Sequence, residues 1–262
     1  MDVDAYLARI GARQPAAPTA ETLRDLHEAH QLAVPFENLS VHLPERIVLD
    51  EDALFDKIVR RHRGGFCYEL NGLFAALLRE LGFRVTLLSA RVHGGGRWGA
   101  PFDHLALRVD LDEPWLADVG FGRFARHPLR LAGCEPQADR EGEFLVLDVP
   151  GGDLEIRMNG EPAYRLEQRP RELADFGPTC WWQATSPDSH FTQNVVCTIA
   201  TPSGRITLAG DQLIETVDGE RAERDLTAAE KVEAYRAHFG IDVNEAPVPG
   251  SFPAPGPRPF PN

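Results

Sequence analysis

The spacing of apolar residues divides the chain into a helical first part and a strand-rich middle. After Cys67, apolar side chains recur every three or four positions, as on one face of a helix, until the stop expected at Gly82. Shorter segments with the same spacing follow Thr19 and Asp50, whose side chains can cap the first turn of a helix. Residues 1–82 are therefore predicted to form a helical bundle.

From Phe83 onwards the apolar period changes to two, which is typical of β-strands. The alternating segments are FRVTLLSARV, HLALRVDL, WLADVGF, EFLVLDV, AYRLEQR, NVVCTIA, GRITLAG and QLIETV. Their spacing favours an antiparallel sheet or barrel. A capping box from Thr227 to Glu230 begins a last helix, and residues 246–262 are rich enough in proline and glycine to predict a loose tail. This order predicts an α+β fold rather than alternating β-α-β units.

Composition and charge narrow the class of protein. The 262 residues are 43% hydrophobic and 26% charged, as in an ordinary globular protein with a packed core. Because 27 basic residues face 40 acidic ones, giving a net charge of −13, we expect no nucleic-acid partner. No apolar run is long enough to span a membrane, and the N-terminus lacks the features of a signal peptide. Four widely spaced cysteines predict no metal site and no disulfide framework, which favours a cytoplasmic location.

Cys67 is the main candidate for chemistry. It begins the predicted helix within RHRGGFCYELNG, where backbone N–H groups and the positive end of the helix dipole favour a thiolate. The two glycines before Phe66 suit a sharp turn or the close approach of a ligand to the backbone. The alternative is that Cys67 is a small buried residue, since free cysteines are among the most buried residue types.

A histidine and an acid follow on successive predicted strands. His104 begins HLALRVD, and its side chain points to the face opposite Leu105. Asp118 lies among apolar neighbours in WLADVGFG, where an unpaired carboxylate would be costly. Nucleophile, base and orienting acid in the order Cys67, His104, Asp118 is an order that a thiol triad can take. The alternative is a purely structural His–Asp hydrogen bond.

Four motifs together resemble the arylamine N-acetyltransferase family. They are VPFENLSVHL (Val34–Leu43), RGGFCYELNG (Arg63–Gly72), FDHLALRV (Phe102–Val109) and WLADVGFG (Trp115–Gly122). The resemblance covers the N-terminal half of the chain and implies a core like that of cysteine proteases and transglutaminases. It implies a helical bundle over residues 1–82, an antiparallel β-barrel over residues 83–185 and an α/β lid over residues 186–262. It also implies that Cys67, His104 and Asp118 form a catalytic triad.

The resemblance further implies a substrate class. Acetyl-CoA would be the acyl donor, and an arylamine or arylhydrazine would be the acceptor, in a double displacement through acetyl-cysteine that serves xenobiotic metabolism. By motif position, the acceptor pocket would be lined by Phe36, Val92, Gly120, Phe121 and Phe191. The alternative for each of these residues is a place in the core. No residue is identified that contacts coenzyme A.

Three further expectations concern the surroundings of the triad. Glu37 and Arg63 are predicted to form an ion pair that holds the VPFEN segment against the Cys67 turn, the alternative being a solvated surface pair. The N–H groups of Cys67 and Tyr68 are expected to stabilise the oxyanion of the reaction. The tryptophan pair that follows Cys180 is interpreted as part of the core rather than as a surface platform.

Two other functions stay open. A hydrolase, such as a transglutaminase-like peptidase or amidase, uses the same triad with water as the acceptor. A non-catalytic binding protein would keep Cys67 buried and inert. The VPFEN and VGFG motifs favour the transferase.

Overall fold

Helices dominate the two ends of the chain and strands its middle, as the apolar spacing predicts, but two short helices that it does not predict, Gly177–Thr185 and His190–Gln193, interrupt the strands. The structure is a computed structural model that describes residues 1–250. Its helices are α1 (Val3–Arg9), α2 (Ala20–Ala33), α3 (Glu51–Phe55), α4 (Cys67–Glu80), α5 (Gly177–Thr185), α6 (His190–Gln193) and α7 (Ala228–Phe239). Shorter helical turns cover Leu39–Val41, Asp56–Arg60 and Leu173–Phe176.

The strands form two antiparallel sheets. They are β1 (Phe36–Glu37), β2 (Arg84–Gly94), β3 (Arg97–Trp98), β4 (His104–Asp110), β5 (Pro114–Ala117), β6 (Leu129–Arg130), β7 (Gln137–Asp139), β8 (Gly142–Asp148), β9 (Leu154–Met158), β10 (Glu161–Arg171), β11 (Val196–Thr201), β12 (Gly204–Ala209), β13 (Gln212–Val217) and β14 (Glu220–Asp225). The predicted strand WLADVGF therefore ends early, at Ala117, and Asp118 lies just beyond the sheet.

The N-terminal helices begin where their caps predict. The Thr19 side chain accepts the N–H of Thr22, and the Asp50 side chain accepts the N–H groups of Asp52 and Ala53. Helix α4 is the centre of the bundle. Its residues 67–78 are all buried, because α1 and α3 pack on one side of it and β2 and β4 on the other. The sequence pattern predicts a single buried stripe, so it underestimates how completely the protein encloses this helix.

The larger sheet is the predicted barrel. Its strands follow the order β6-β5-β4-β2-β10-β9-β8-β7, with β3 paired to β2. The side-chain amide of Gln137 on β7 donates to the Arg130 carbonyl on β6, and its oxygen accepts the Arg130 N–H, at 3.0 and 2.7 Å. A side chain therefore joins the two edge strands. Buried apolar residues, including Phe144 and Leu166, fill the space inside.

The smaller sheet has the order β1-β11-β12-β13-β14, and α7 packs against it. Strand β1 comes from the VPFEN segment, so Phe36 and Glu37 pair with Thr198 and Cys197. The region predicted as an α/β lid is therefore completed by two residues of the N-terminal half. The division of the chain at residues 82/83 and 185/186 stays a prediction. Of the predicted loose tail, residues 251–262 lie outside the described residues.

Within residues 1–250, no helix is both long and apolar enough to cross a membrane. The same range contains no group of three or more histidine, cysteine, aspartate or glutamate side chains arranged to hold a metal ion.

Candidate active site

Cys67 is the first residue of α4, and it is placed there by close backbone packing. A Cβ at Gly64 would overlap the Pro35 carbonyl oxygen, and one at Gly65 would lie 2.6 Å from Glu69 Oε2. Neighbouring protein atoms thus occupy the space that a Cβ would need, so packing alone requires glycine at both positions. The approach of a ligand to this backbone stays a prediction. Glu69 in turn accepts the Phe66 N–H at 3.2 Å, which fixes the start of the helix.

His104 lies at the start of β4 and is held on both sides. Its Nε2 lies 2.7 Å from Asp118 Oδ2, and both residues are 2% exposed. Burial disfavours the imidazolium, but the charge and hydrogen bond of Asp118 and the hydrogen bond with Cys67 outweigh it, and they raise the pKa of His104 to about 10. Since Nε2 is engaged by the carboxylate, Nδ1 is the nitrogen left for the sulfur. The structure therefore brings Cys67, His104 and Asp118 together.

Asp118 accepts four hydrogen bonds although it is buried. Oδ1 accepts from Asn71 Nδ2 at 2.8 Å and from the Gly120 N–H at 3.0 Å. Oδ2 accepts from His104 and from the Tyr164 hydroxyl at 3.0 Å. Burial alone would raise the pKa of Asp118, but His104, Asn71 and the Gly120 N–H lower it below its ordinary value. The carboxylate is therefore stable as an anion beside the imidazole.

A cavity of about 800 Å³ opens onto Cys67 and His104. All five residues expected in the acceptor pocket line it, namely Phe36, Val92, Gly120, Phe121 and Phe191. The Phe121 ring meets the His104 ring edge to face, with centroids 5.1 Å apart. A Cβ at Gly120 would lie 2.8 Å from Cys67 Cα, so only glycine lets this loop pass the nucleophile. That these residues bind a substrate stays a prediction.

Comparison with known proteins supplies the family. The sequence matches the N-acetyltransferase family over residues 19–248. An arylamine N-acetyltransferase / N-hydroxyarylamine O-acetyltransferase of Salmonella typhimurium is 36% identical over 253 residues, which cover 92% of this chain and 89% of that protein. An arylamine N-acetyltransferase of Mycolicibacterium smegmatis is 36% identical, with 94% of each chain covered. The chain belongs to the arylamine N-acetyltransferase family.

Solved structures of this family share the fold. The arylamine N-acetyltransferase of Mycobacterium marinum, solved in complex with CoA, superimposes with a TM-score of 0.85 at 33% identity, covering 92% of this chain and 93% of that one. The α+β fold expected from the sequence is thereby confirmed. The chain is thus an arylamine N-acetyltransferase by family, and it is an enzyme.

A buried group of charges holds the VPFEN segment of the enzyme in place. Arg63 Nη2 lies 2.9 Å from Glu37 Oε1, so the predicted ion pair is confirmed. Lys57 Nζ lies 3.9 Å from the same carboxylate and 2.7 Å from that of Glu69. All four side chains are buried, so the alternative of a solvated surface pair is wrong. Burial would raise the pKa of Glu37, but Lys57 and Arg63 lower it, so the Glu37 carboxylate stays ionised.

Two polar partners of Asp118 are missing from the sequence-based prediction. Asn71 lies one helical turn after Cys67, and a polar residue inside so apolar a helix is a signal that could have found it. Tyr164 carries no such signal, because its position opposite Val92 depends on the register between β10 and β2.

The interpretation of the tryptophan pair as core is wrong. Trp181 is 56% exposed and Trp182 is 43% exposed, because the short helix α5 lies on the surface. Trp182 lines the cavity that opens onto Cys67 and His104, whereas Trp181 lines a second cavity of about 550 Å³ between α5 and residues 40–49. The second cavity contains neither Cys67 nor His104, so we do not assign the reaction to it.

Proposed function

We propose that the chain transfers the acetyl group of acetyl-CoA to arylamines and arylhydrazines through an acetyl-cysteine at Cys67. The observation that carries this proposal is the buried arrangement of Cys67, His104 and Asp118 at the base of a cavity with aromatic walls. Membership of the family supports the reaction class, and the CoA complex of the M. marinum relative supports the donor. We propose Cys67, His104 and Asp118 as the catalytic residues.

The first half of the reaction forms the acetyl-enzyme. Asp118 accepts the Nε2–H of His104, so Nδ1 takes the proton of the Cys67 thiol. The resulting imidazolium stabilises the thiolate, which attacks the thioester carbonyl carbon. The N–H groups of Cys67 and Tyr68 stand at the first two helical positions, where they have no acceptor within the helix, and they stabilise the oxyanion. The tetrahedral intermediate collapses, the carbon–sulfur bond to coenzyme A breaks, and the coenzyme thiolate takes the proton from His104.

The second half transfers the acetyl group to the amine. Acetylation removes the thiolate and thiol hydrogen bond of Cys67, which help to raise the pKa of His104 in the free enzyme. The pKa of His104 therefore falls in the acetyl-enzyme, which makes its neutral form available as a base. The amine nitrogen attacks the acetyl carbonyl carbon, His104 accepts the proton from nitrogen, and Cys67 leaves as the thiolate.

The walls of the cavity support the proposal of aromatic acceptors. Phe36, Phe121 and Phe191 present rings to the cavity, and aromatic pairs in edge-to-face or offset contact gain about 0.5–1.5 kcal/mol beyond their buried area. We assign these three residues, with Val92 and Gly120, to acceptor binding. We further propose a cytoplasmic location, which the four unpaired cysteines support.

The test is intact-mass analysis after mixing the protein with acetyl-CoA and no acceptor. We expect one acetyl group, located at Cys67 by peptide mapping, that disappears when aniline is added. Cys67→Ser should remove it, whereas Cys134→Ser, which changes an exposed cysteine outside the site, should not. No acetylation, or acetyl groups spread over several residues, would contradict the proposal. Release by water as fast as by aniline would favour the hydrolase.

A further inference from the structure

Side chains, not a neighbouring strand, hold the main chain at Asp118. Strand β5 ends at Ala117, whose partner is Leu107, and the next three residues leave the sheet. Their N–H groups are nevertheless all bonded. The N–H of Asp118 donates to His27 Nε2 at 3.0 Å, that of Val119 to Asn71 Oδ1 at 2.9 Å, and that of Gly120 to Asp118 Oδ1 at 3.0 Å.

The bond from Asp118 fixes the protonation state of His27. A backbone N–H can only donate, so Nε2 of His27 must be unprotonated. Its proton is therefore on Nδ1, which donates to the Arg126 carbonyl at 2.9 Å. Gln31 Nε2 lies 3.0 Å from the same Nδ1, but both atoms then carry hydrogens, and the amide instead donates to the carbonyls of Ala125 and Arg126. Both nitrogens of a neutral His27 are thus satisfied.

The surroundings of His27 keep it neutral. The residue is 1% exposed, and the Phe74 ring of α4 packs against it edge to face at 6.1 Å. Burial lowers the pKa of His27 to about 4. The Arg126 carbonyl and the charges of Asp118 and Asp139 favour its protonation, and His127 disfavours it, but burial outweighs them.

We propose that His27 is a positioning residue, whose neutral imidazole fixes the main chain of Asp118 and thereby aims its carboxylate at His104. The inference rests on the proposed role of the Cys-His-Asp group. Among the donors to the carboxylate, Gly120 belongs to the same loop and moves with it. Helix α2 thus supplies an anchor for the main chain of Asp118 that is independent of the side-chain bonds.

Two substitutions separate this role from simple packing. In His27→Gln, the side-chain oxygen can take the place of Nε2 and accept from Asp118, while the donor to Arg126 is lost. In His27→Asn, the amide can take the place of Nδ1 and donate to Arg126, while the acceptor for Asp118 is lost. His30→Asn is the matched control, because His30 is equally buried on the same helix and its Nδ1 bonds the Tyr6 hydroxyl instead of the triad.

The measurement is the rate of Cys67 alkylation by iodoacetamide against pH, in a Cys134→Ser background, on folded protein. Cys180 and Cys197 are buried, which raises the pKa of each thiol and keeps it unreactive. We expect His27→Asn to lower the rate at neutral pH by about 10- to 100-fold, as for other displaced supporting groups. His27→Gln should recover most of this loss, and His30→Asn should stay within about 3-fold of the wild type.

The outcomes decide between the two roles. Equal rates in the two His27 variants, or a loss in His30→Asn as large as in His27→Asn, would overturn the proposal. If His27→Asn does not fold, nitrogen NMR of the wild type still tests it, since an imidazolium or an Nε2–H tautomer of His27 at neutral pH would overturn it. Alkylation uses no acetyl-CoA, so a wild type that is not acetylated would refute the proposed function and leave this comparison intact.

Discussion

The Tyr164 hydroxyl lies 3.0 Å from Asp118 Oδ2, the same oxygen to which His104 donates. Tyr164 stands on β10 and is fully buried, so its hydroxyl is held without competition from water. The carboxylate thus orients the histidine while a phenol from the barrel orients the carboxylate. The loss of acetyl transfer should therefore be larger when the charge of Asp118 is removed than when the Tyr164 hydroxyl is removed.

Asp118→Asn should keep the shape of the site and lose its charge. The pKa of His104 would fall from about 10, because the charge and hydrogen bond of Asp118 are what raise it. We expect acetyl transfer to fall on the order of 10²- to 10⁴-fold, the upper end being that of the serine triads. The pH dependence of Cys67 alkylation checks this, and the variant should react more slowly near neutral pH. Superimposable curves from two folded proteins would show that Asp118 only ties the chain together.

Tyr164→Phe should have a smaller effect than Asp118→Asn. It removes one of four donors and leaves the charge of Asp118 in place. A hydrogen bond to a charged group contributes about 1.5–3 kcal/mol, so we expect transfer to fall by roughly 10- to 100-fold. Tyr235→Phe, another buried tyrosine but outside the site, is the control. A larger loss than in Asp118→Asn would mean that Tyr164 acts on the reaction directly.

The parts of the site that the sequence predicts are those with a local signal. Cys67 starts an apolar helix, and His104 starts an alternating strand, so both are visible in a few neighbouring residues. Tyr164 reaches Asp118 only through the pairing of β10 with β2, and β1 is two residues long, so neither leaves a pattern. The early end of β5 also cannot be predicted from neighbouring residues, because the Asp118 N–H donates to a side chain that lies 91 positions away in the sequence.

In the fold, too, the elements with a local sequence signal can be predicted, and those that depend on distant pairing cannot. Helix caps such as Thr19 and the period-two strands are local, and the structure confirms them. Strand β14 has the sequence ERAERD and is exposed throughout, so no apolar alternation could predict it. It exists because β13 pairs with it over its full length, from Gln212 opposite Asp225 to Val217 opposite Glu220.

Glu37→Gln should destabilise the protein strongly. The substitution leaves the buried Arg63 without its full counter-charge, and breaking a buried ion pair in this way costs about 3–5 kcal/mol. Urea unfolding measures the change in the free energy of unfolding. Glu223→Gln is the matched control, because its pair with Arg221 is exposed and should contribute only about 0–1 kcal/mol. Equal losses in the two variants would mean that the buried pair contributes no more than a surface one.

Acid should destabilise the fold through buried histidines. Burial lowers the pKa of His30 to about 3, while a histidine in the unfolded chain titrates near about 6.5. Below about pH 6.5 the histidine binds a proton in the unfolded chain but not in the folded chain. For each such histidine, the free energy of unfolding therefore falls by about 1.4 kcal/mol per pH unit as the pH drops from about 6.5 towards 3. His104 has the opposite effect, because its pKa is raised in the folded state. Its contribution to the free energy of unfolding is fully present below about pH 6.5 and is lost as the pH rises through about 10.

Urea unfolding between about pH 7 and pH 4 checks the effect of His30. In His30→Gln the unfolding free energy should decline less steeply with falling pH. The difference in slope should be about 1.4 kcal/mol per pH unit, which corresponds to one proton. His62→Asn changes an exposed histidine and serves as the control. Identical slopes in wild type and His30→Gln would contradict the effect of His30.

Phe36→Ala tests the acceptor pocket. The Phe36 ring lines the catalytic cavity and lies 6.2 Å from the Phe191 ring, but it also packs against the core, so both roles are open to the experiment. If it contacts the acceptor, its loss should raise the Michaelis constant of a bulky arylamine such as 2-aminofluorene by about 2- to 10-fold, the equivalent of one lost aromatic contact. Acetylation of Cys67 by acetyl-CoA should be nearly unchanged, because the triad is untouched.

Phe144→Leu is the control for packing in this test. Phe144 is fully buried inside the barrel and does not line the cavity, so its substitution should lower stability and leave the ranking of arylamines unchanged. A Phe36→Ala protein that matches this control, with lower stability and the wild-type ranking, would place Phe36 in the core. A protein with wild-type stability and a changed ranking of aniline and 2-aminofluorene would place it in the pocket, since only contact with the acceptor distinguishes the two amines.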